Sequence, residues 1–159
     1  MRKKDREVKD PLALMAIMAA CDRMVLAFNG DPAPYLLPVN PGVERVGDRF
    51  FLYFHGAVEG RKYRYLADGV PVSFEMDTDH DLFADPNRGY CTMYYESVIG
   101  QGLVYELTAA EDKDRALQLI VDHYHLDDGF SYSRAAIPRT RVFKIEVTAI
   151  TGKVKRKKN

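Results

Sequence analysis

From Tyr35 to Phe54 the chain leaves no room for a crossover connection. "YLLPVNP" (35–41) has strand composition, and "GVERVGDR" (42–49) closes a hairpin into the apolar run "FFLYF" (50–54). Parallel neighbours need a dozen or more connecting residues, so these segments can only fold back on themselves. The habit recurs along the chain. "RMVLAFN" (23–29) ends in the turn "GDPAP" (30–34), and "PVSFEMD" (71–77) is a further strand. "CTMYYESVIGQGLVYEL" (91–107) is a long strand in which Gly100 and Gly102 mark a bend or bulge. In "RTRVFKIEVTAI" (139–150), Val142, Lys144 and Glu146 oppose Phe143, Ile145 and Val147, which predicts one buried and one wet face.

Helical signals are fewer. Asp10 followed by Pro11 is a cap and first turn, and Leu14, Ile17, Met18 and Cys21 share one stripe after it. Residues 109–124 form an amphipathic helix with Ala116, Leu117, Ile120 and Val121 inward. A short helix is expected over 59–67, with Tyr63 and Leu66 inward and Gly69 ending it. Residues 78–90 and 125–138 read as loops. The expected fold is mainly β with helices, an antiparallel barrel flanked by a few helices in a single domain spanning 1–159.

Charge narrows the function classes. The 159 residues carry 23 cations and 23 acids. Five cations lie in residues 1–10 and five in 153–159, so the stretch between holds 13 cations against 20 acids. An acidic body with basic ends does not offer a nucleic-acid face, and the segment 153–159 is expected to be a solvated, mobile tail. "LALMAIMAAC" (12–21) imitates a signal-peptide core, but Asp5, Glu7, Asp10 and Pro11 before it favour a helix of a cytoplasmic protein. No apolar run is long enough to span a bilayer. Cys21 and Cys91 form no zinc pattern. His123 and His125 near Asp122, Asp127 and Asp128 do not share a helical face, and "DTDHD" (77–81) lacks calcium-loop spacing, so no metal site is expected.

The informative stretch is "FHGAVEGRK" (54–62). Gly56 and Gly60 would let backbone approach a ligand closely. Arg61 and Lys62 in a first helical turn oppose the helix dipole unless an anion answers them, and a phosphate would. The alternative is a solvated helix start compensated by Glu59. In "YLLPVN", Pro38 cannot donate to a ladder, so one side of that strand faces ligand or solvent, or is an ordinary edge. In "YYESVIGQG", Ser97 could bind phosphate, and Tyr94 and Tyr95 could stack on a ring or line a dimer contact.

Taken together, "PYLLPVN", "LYFHGAVEGRK", "MYYESVIGQG" and "VFKIEVTAITGK" resemble, in order and spacing, the nitroimidazole-resistance proteins. These are part of the pyridoxamine 5′-phosphate oxidase-like, FMN-binding split-barrel group. The resemblance implies an antiparallel split barrel that forms a homodimer, with FMN at the subunit interface. Backbone at Leu37, Pro38, Val39 and Asn40 would meet the ring edge, His55 and Gly56 would flank it, and Arg61 and Lys62 would hold the phosphate. Ser97 and Val98 would approach from the long strand, from the same or the partner subunit. Glu96 stands where relatives often carry a cation, so it is expected to point away. The implied chemistry is reduction of a small oxidised substrate, such as a nitroaromatic, with NAD(P)H as donor and His55 as proton donor. The competing readings are a flavin or haem carrier or sensor without turnover, with His55 as axial ligand, and a cofactor-free barrel acting through its dimer surface.

Overall fold

A computed structural model describes residues 3–124, 130 and 132–157 of the chain. Its elements run β1 (Glu7–Val8), α1 (Pro11–Ala20), β2 (Met24–Phe28), β3 (Tyr35–Val39), β4 (Gly42–Val46) and β5 (Arg49–Ala57). They continue with β6 (Val70–Asp85), β7 (Tyr90–Leu107), α2 (Ala110–His123) and β8 (Thr140–Lys155). Among the described residues the strands form one antiparallel sheet in the order β3-β2-β6-β7-β8-β5-β4, with β1 added to β8. This is the mainly β architecture with flanking helices that the short connections require.

Alternation decides which face is inside. Met24, Leu26 and Phe28 of β2, Phe50, Leu52 and Phe54 of β5, and Phe143 and Ile145 of β8 meet in one core. Each such side chain contributes about 1.5–3 kcal/mol by leaving water. Helix α1 joins that core through Leu14, Ile17 and Met18, and Asp10 caps it by accepting the Ala13 N–H at 2.8 Å. Strand β7 bends at its glycines. A Cβ on Gly100 would lie 2.6 Å from the Ala149 carbonyl oxygen, and the register against β8 shifts between Gln101 and Gly102.

Four expectations differ from the structure. The wet face predicted for β8 is partly covered, because α2 packs Ala116 and Ile120 against Val142 and Tyr53 in a second apolar cluster. Most of the expected polar loop 78–90 is strand, since β6 and β7 continue as a hairpin to Asp85 and Tyr90. The short helix expected over 59–67 is a single 3-10 turn, Arg61–Arg64. The basic segment 153–159 begins inside β8, with Ser97 opposite Lys153 and Tyr95 opposite Lys155. His125, Asp127 and Asp128 lie outside the described residues.

Candidate functional site

The turn after β5 is tied down from below. Tyr63 folds back under it and its hydroxyl donates to the Ala57 carbonyl. Arg141, at the start of β8, lies 4.0 Å from the centre of the Tyr63 ring. Its guanidinium grips Glu106 of β7 through two hydrogen bonds, one of them Nε to Oε1 at 2.8 Å. Asp68 receives the Glu106 backbone N–H at 2.8 Å. A cation held between a ring face and a carboxylate gives this end of the barrel a fixed shape. Tyr63 was expected to face inward, whereas Glu106 and Arg141, its partners in this clamp, carry no local sequence signal.

The same turn presents Arg61 and Lys62. The Arg61 guanidinium lies 5.4 Å from the Tyr35 ring centre, which joins the turn to β3. Tyr35 in turn stacks on Tyr65, with ring centres 4.6 Å apart. Lys62 folds over the end of β5, with its Nζ 3.4 Å from the Glu59 carbonyl oxygen. A Cβ on Gly56 would lie 2.6 Å from Lys62 Cε, so the bare glycine lets the lysine side chain lie directly against the β5 backbone. Among the described residues, no carboxylate lies within ion-pair distance of Arg61 or Lys62. Glu59 therefore does not compensate them as a salt bridge. With only one 3-10 turn there is no helix macrodipole to help; the cations themselves are what an anion would meet. Two cations with no carboxylate partner, beside a glycine that admits close approach, fit a phosphate group.

Strand β3 is an edge of the sheet, with Pro38 opposite Val25 of β2. Leu37 and Val39 pack onto the core, while Leu36, Pro38 and Asn40 are exposed. His55 stands opposite Val142, two residues beyond Tyr53 on the α2 side of the sheet. It is solvent-accessible on one side, yet the protein around the remainder desolvates the ring and lowers its pKa. The imidazole is thus held toward its neutral form.

Ser97 and Val98 do not join this group within one subunit. Val98 is fully buried in the core, and Ser97 alternates to the opposite face. Ser97 pairs with Lys153, whereas His55 pairs with Val142, eleven residues back along β8. That is roughly 36 Å of strand contour at about 3.3 Å per residue. Glu96 faces the interior, opposite to Ser97, is 7% exposed, and pairs with Arg156 at 2.5 Å.

Comparison with known proteins gives this arrangement a context. No curated protein matches the sequence significantly. A candidate 5-nitroimidazole antibiotic resistance protein from Bacteroides thetaiotaomicron has a solved structure similar to this one. It is 29% identical, with a TM-score of 0.77 over 93% of this chain and 86% of that one. A NimC/NimA family protein from Clostridium acetobutylicum shares the fold at 15% identity, with a TM-score of 0.56 over 93% of this chain and 87% of that one. A FAD and haem binding protein from Mycobacterium smegmatis does so at 18% identity, with a TM-score of 0.76 over 96% and 74%. The profile of the pyridoxamine 5′-phosphate oxidase family matches residues 10–154, nearly the whole chain. The split-barrel fold is therefore family architecture, and the chain belongs to the pyridoxamine 5′-phosphate oxidase family.

Proposed function

We propose that the chain is an FMN-binding homodimer that reduces a small oxidised molecule, such as a nitroaromatic, with NAD(P)H as electron donor. The observation that carries this reading is the pair of cations without a carboxylate partner, Lys62 folded over Gly56 and Arg61 against Tyr35 of the edge strand β3. Flavin supplies the electron transfer when bound; the protein supplies position and electrostatics. Arg61 and Lys62 would hold the phosphate, and the edge backbone from Leu37 to Asn40 would meet the ring. Ser97 would come from the partner subunit, since the strand register keeps it far from His55 within one subunit. His55, open to solvent on one side, would relay a proton from water to the reduced substrate through its imidazolium form, which burial keeps a minor species at pH 7.

The likeness to a candidate nitroimidazole resistance protein supports a nitroaromatic substrate class. The name of the Mycobacterium smegmatis protein keeps a second reading in play, a flavin or haem carrier with the neutral His55 imidazole as axial ligand. The visible spectrum of the purified protein divides them. Paired flavin bands, followed by NAD(P)H-dependent turnover of a nitroaromatic, support the enzyme. A Soret band, or flavin without turnover of any acceptor, sinks it.

A further inference from the structure

The hairpin of β6 and β7 that runs past the barrel builds a second concavity with no part in the flavin reading. Phe83, Tyr90 and Tyr94 form its aromatic side, with ring centres 6.5 Å (Phe83 to Tyr90) and 6.2 Å (Phe83 to Tyr94) apart. Its other side is the end of β8, where Lys155, Arg156 and Lys157 converge with Arg6 from the chain's start. The volume is about 480 Å³, within the range of small-molecule sites. None of the residues expected to hold flavin lines it.

The cations here differ in what they already do. Arg156 neutralises the buried Glu96, so it is a structural member of the wall. Lys155 donates to Thr92 and sits 5.7 Å from the Tyr94 ring centre, which places its ammonium beside an aromatic face. Arg6 meets Asp5 at 4.0 Å and the Tyr95 hydroxyl, and Lys157 has no partner among the described residues. Asp5 is the one acidic residue lining the cavity. On a body that is otherwise acidic, this is a local excess of positive charge next to three rings. Rings stack on a planar ligand and cations take its anion, and here the two lie side by side on the neighbouring strands β7 and β8.

We propose that this cavity binds a small ligand that joins a planar aromatic ring to a phosphate, the chemistry of a nucleoside phosphate. The ring would lie against Phe83 and Tyr94, and the phosphate would meet Lys155, Lys157 and Arg6. Ser97, placed in the flavin site, stands three residues from Tyr94 on β7, so titration with and without FMN separates the two sites.

Calorimetric titration of the full-length protein with adenosine monophosphate tests it, before and after saturation with FMN. One molecule should bind per subunit in both states, and adenosine or inorganic phosphate alone should bind roughly tenfold more weakly or worse. Tyr94→Leu, which keeps apolar bulk but removes the ring face, should weaken binding roughly tenfold, and Lys157→Gln several-fold. Lys157 is an exposed residue near the chain's end, so its variant folds even where Tyr94→Leu does not. Absence of binding at millimolar nucleotide overturns the proposal. So does an affinity that Lys157→Gln leaves unchanged, or inorganic phosphate binding as tightly as the nucleotide. Stoichiometric displacement of the nucleotide by FMN would assign the cavity to flavin and overturn it equally.

Discussion

Arg141 lies over the Tyr63 ring at 4.0 Å while its other side grips Glu106, and Tyr63 in turn holds the Ala57 carbonyl. The residues that would touch an anion, Arg61 and Lys62, thus stand on a turn fixed from β7 and β8, far along the sequence. Tyr63→Phe removes only the hydroxyl contact. It should cost about 1 kcal/mol of stability, typical of one hydrogen bond, and weaken FMN affinity several-fold. Denaturant unfolding and flavin fluorescence titration measure the two effects separately; unchanged affinity would mean the turn needs no support.

Arg61 and Lys62 should read the phosphate and not the ring. Arg61→Ala and Lys62→Ala are each expected to lower FMN affinity by roughly tenfold or more, the loss of a charge-assisted contact worth about 1.5–3 kcal/mol. Riboflavin, which lacks the phosphate, should bind both variants as it binds the parent. Equal losses for the two flavins would place these side chains elsewhere.

Subunit mixing tests whether the site is shared. Arg61→Ala spoils the turn, and Ser97→Asp puts a carboxylate beside the phosphate from the long strand. If each site takes one residue from each subunit, refolding the two weakened variants together should restore about a quarter of the sites to parental affinity, since half of random dimers are mixed and each of those has one intact site. A site contained in one subunit recovers none.

The Glu106 pair predicts a limb of the acid stability curve. Hydrogen bonding to Arg141 holds the Glu106 carboxyl below its ordinary value of 4.5. The unfolded chain therefore takes up this proton first as pH falls. The pair's contribution, about 1 kcal/mol for a partly exposed ion pair, is complete above about pH 4.5 and is lost as pH drops through the lower folded value. Glu106→Gln should flatten that limb; unfolding free energies measured between pH 7 and 3 would show it.

His55 shifts the balance in the neutral range. Burial lowers its pKa below 6.5 in the folded state, so as pH falls past 6.5 the unfolded chain protonates first and stability declines. His55→Gln should remove this slope while retaining flavin, and should slow nitroaromatic turnover at pH 7. Full turnover in a flavin-loaded His55→Ala protein would end the proton-donor role.

What could be read in the sequence was what local chemistry encodes. The Asp10–Pro11 cap, the edge position of Pro38 and the bend at Gly100–Gly102 each rest on one or two residues, and each is present. The hairpin beyond the barrel was not legible. Its strands are largely exposed, so no apolar alternation marks them, and its register shifts between Thr78 and Asp81. The helix expected over 59–67 failed for a different reason. Tyr63 does point inward, but toward Arg141 on a distant strand, and the chain leaves its single 3-10 turn at Tyr65. In the candidate site, the cations and the glycine were visible; the part of the clamp that runs through Arg141 and Glu106 joins residues 35 and more apart, which no local pattern reports.

Pro38 bears on what this protein does when crowded. Strand β3 is short and leaves one side of its backbone unpaired, the arrangement from which open sheets recruit strands of other molecules. A proline there takes one donor out of that row, and exposed Asn40 follows where the strand stops. The edge is thereby a poor template for another chain while remaining open to a small flat molecule. Solubility at high concentration and access to the ring-binding edge would then depend on the same residue.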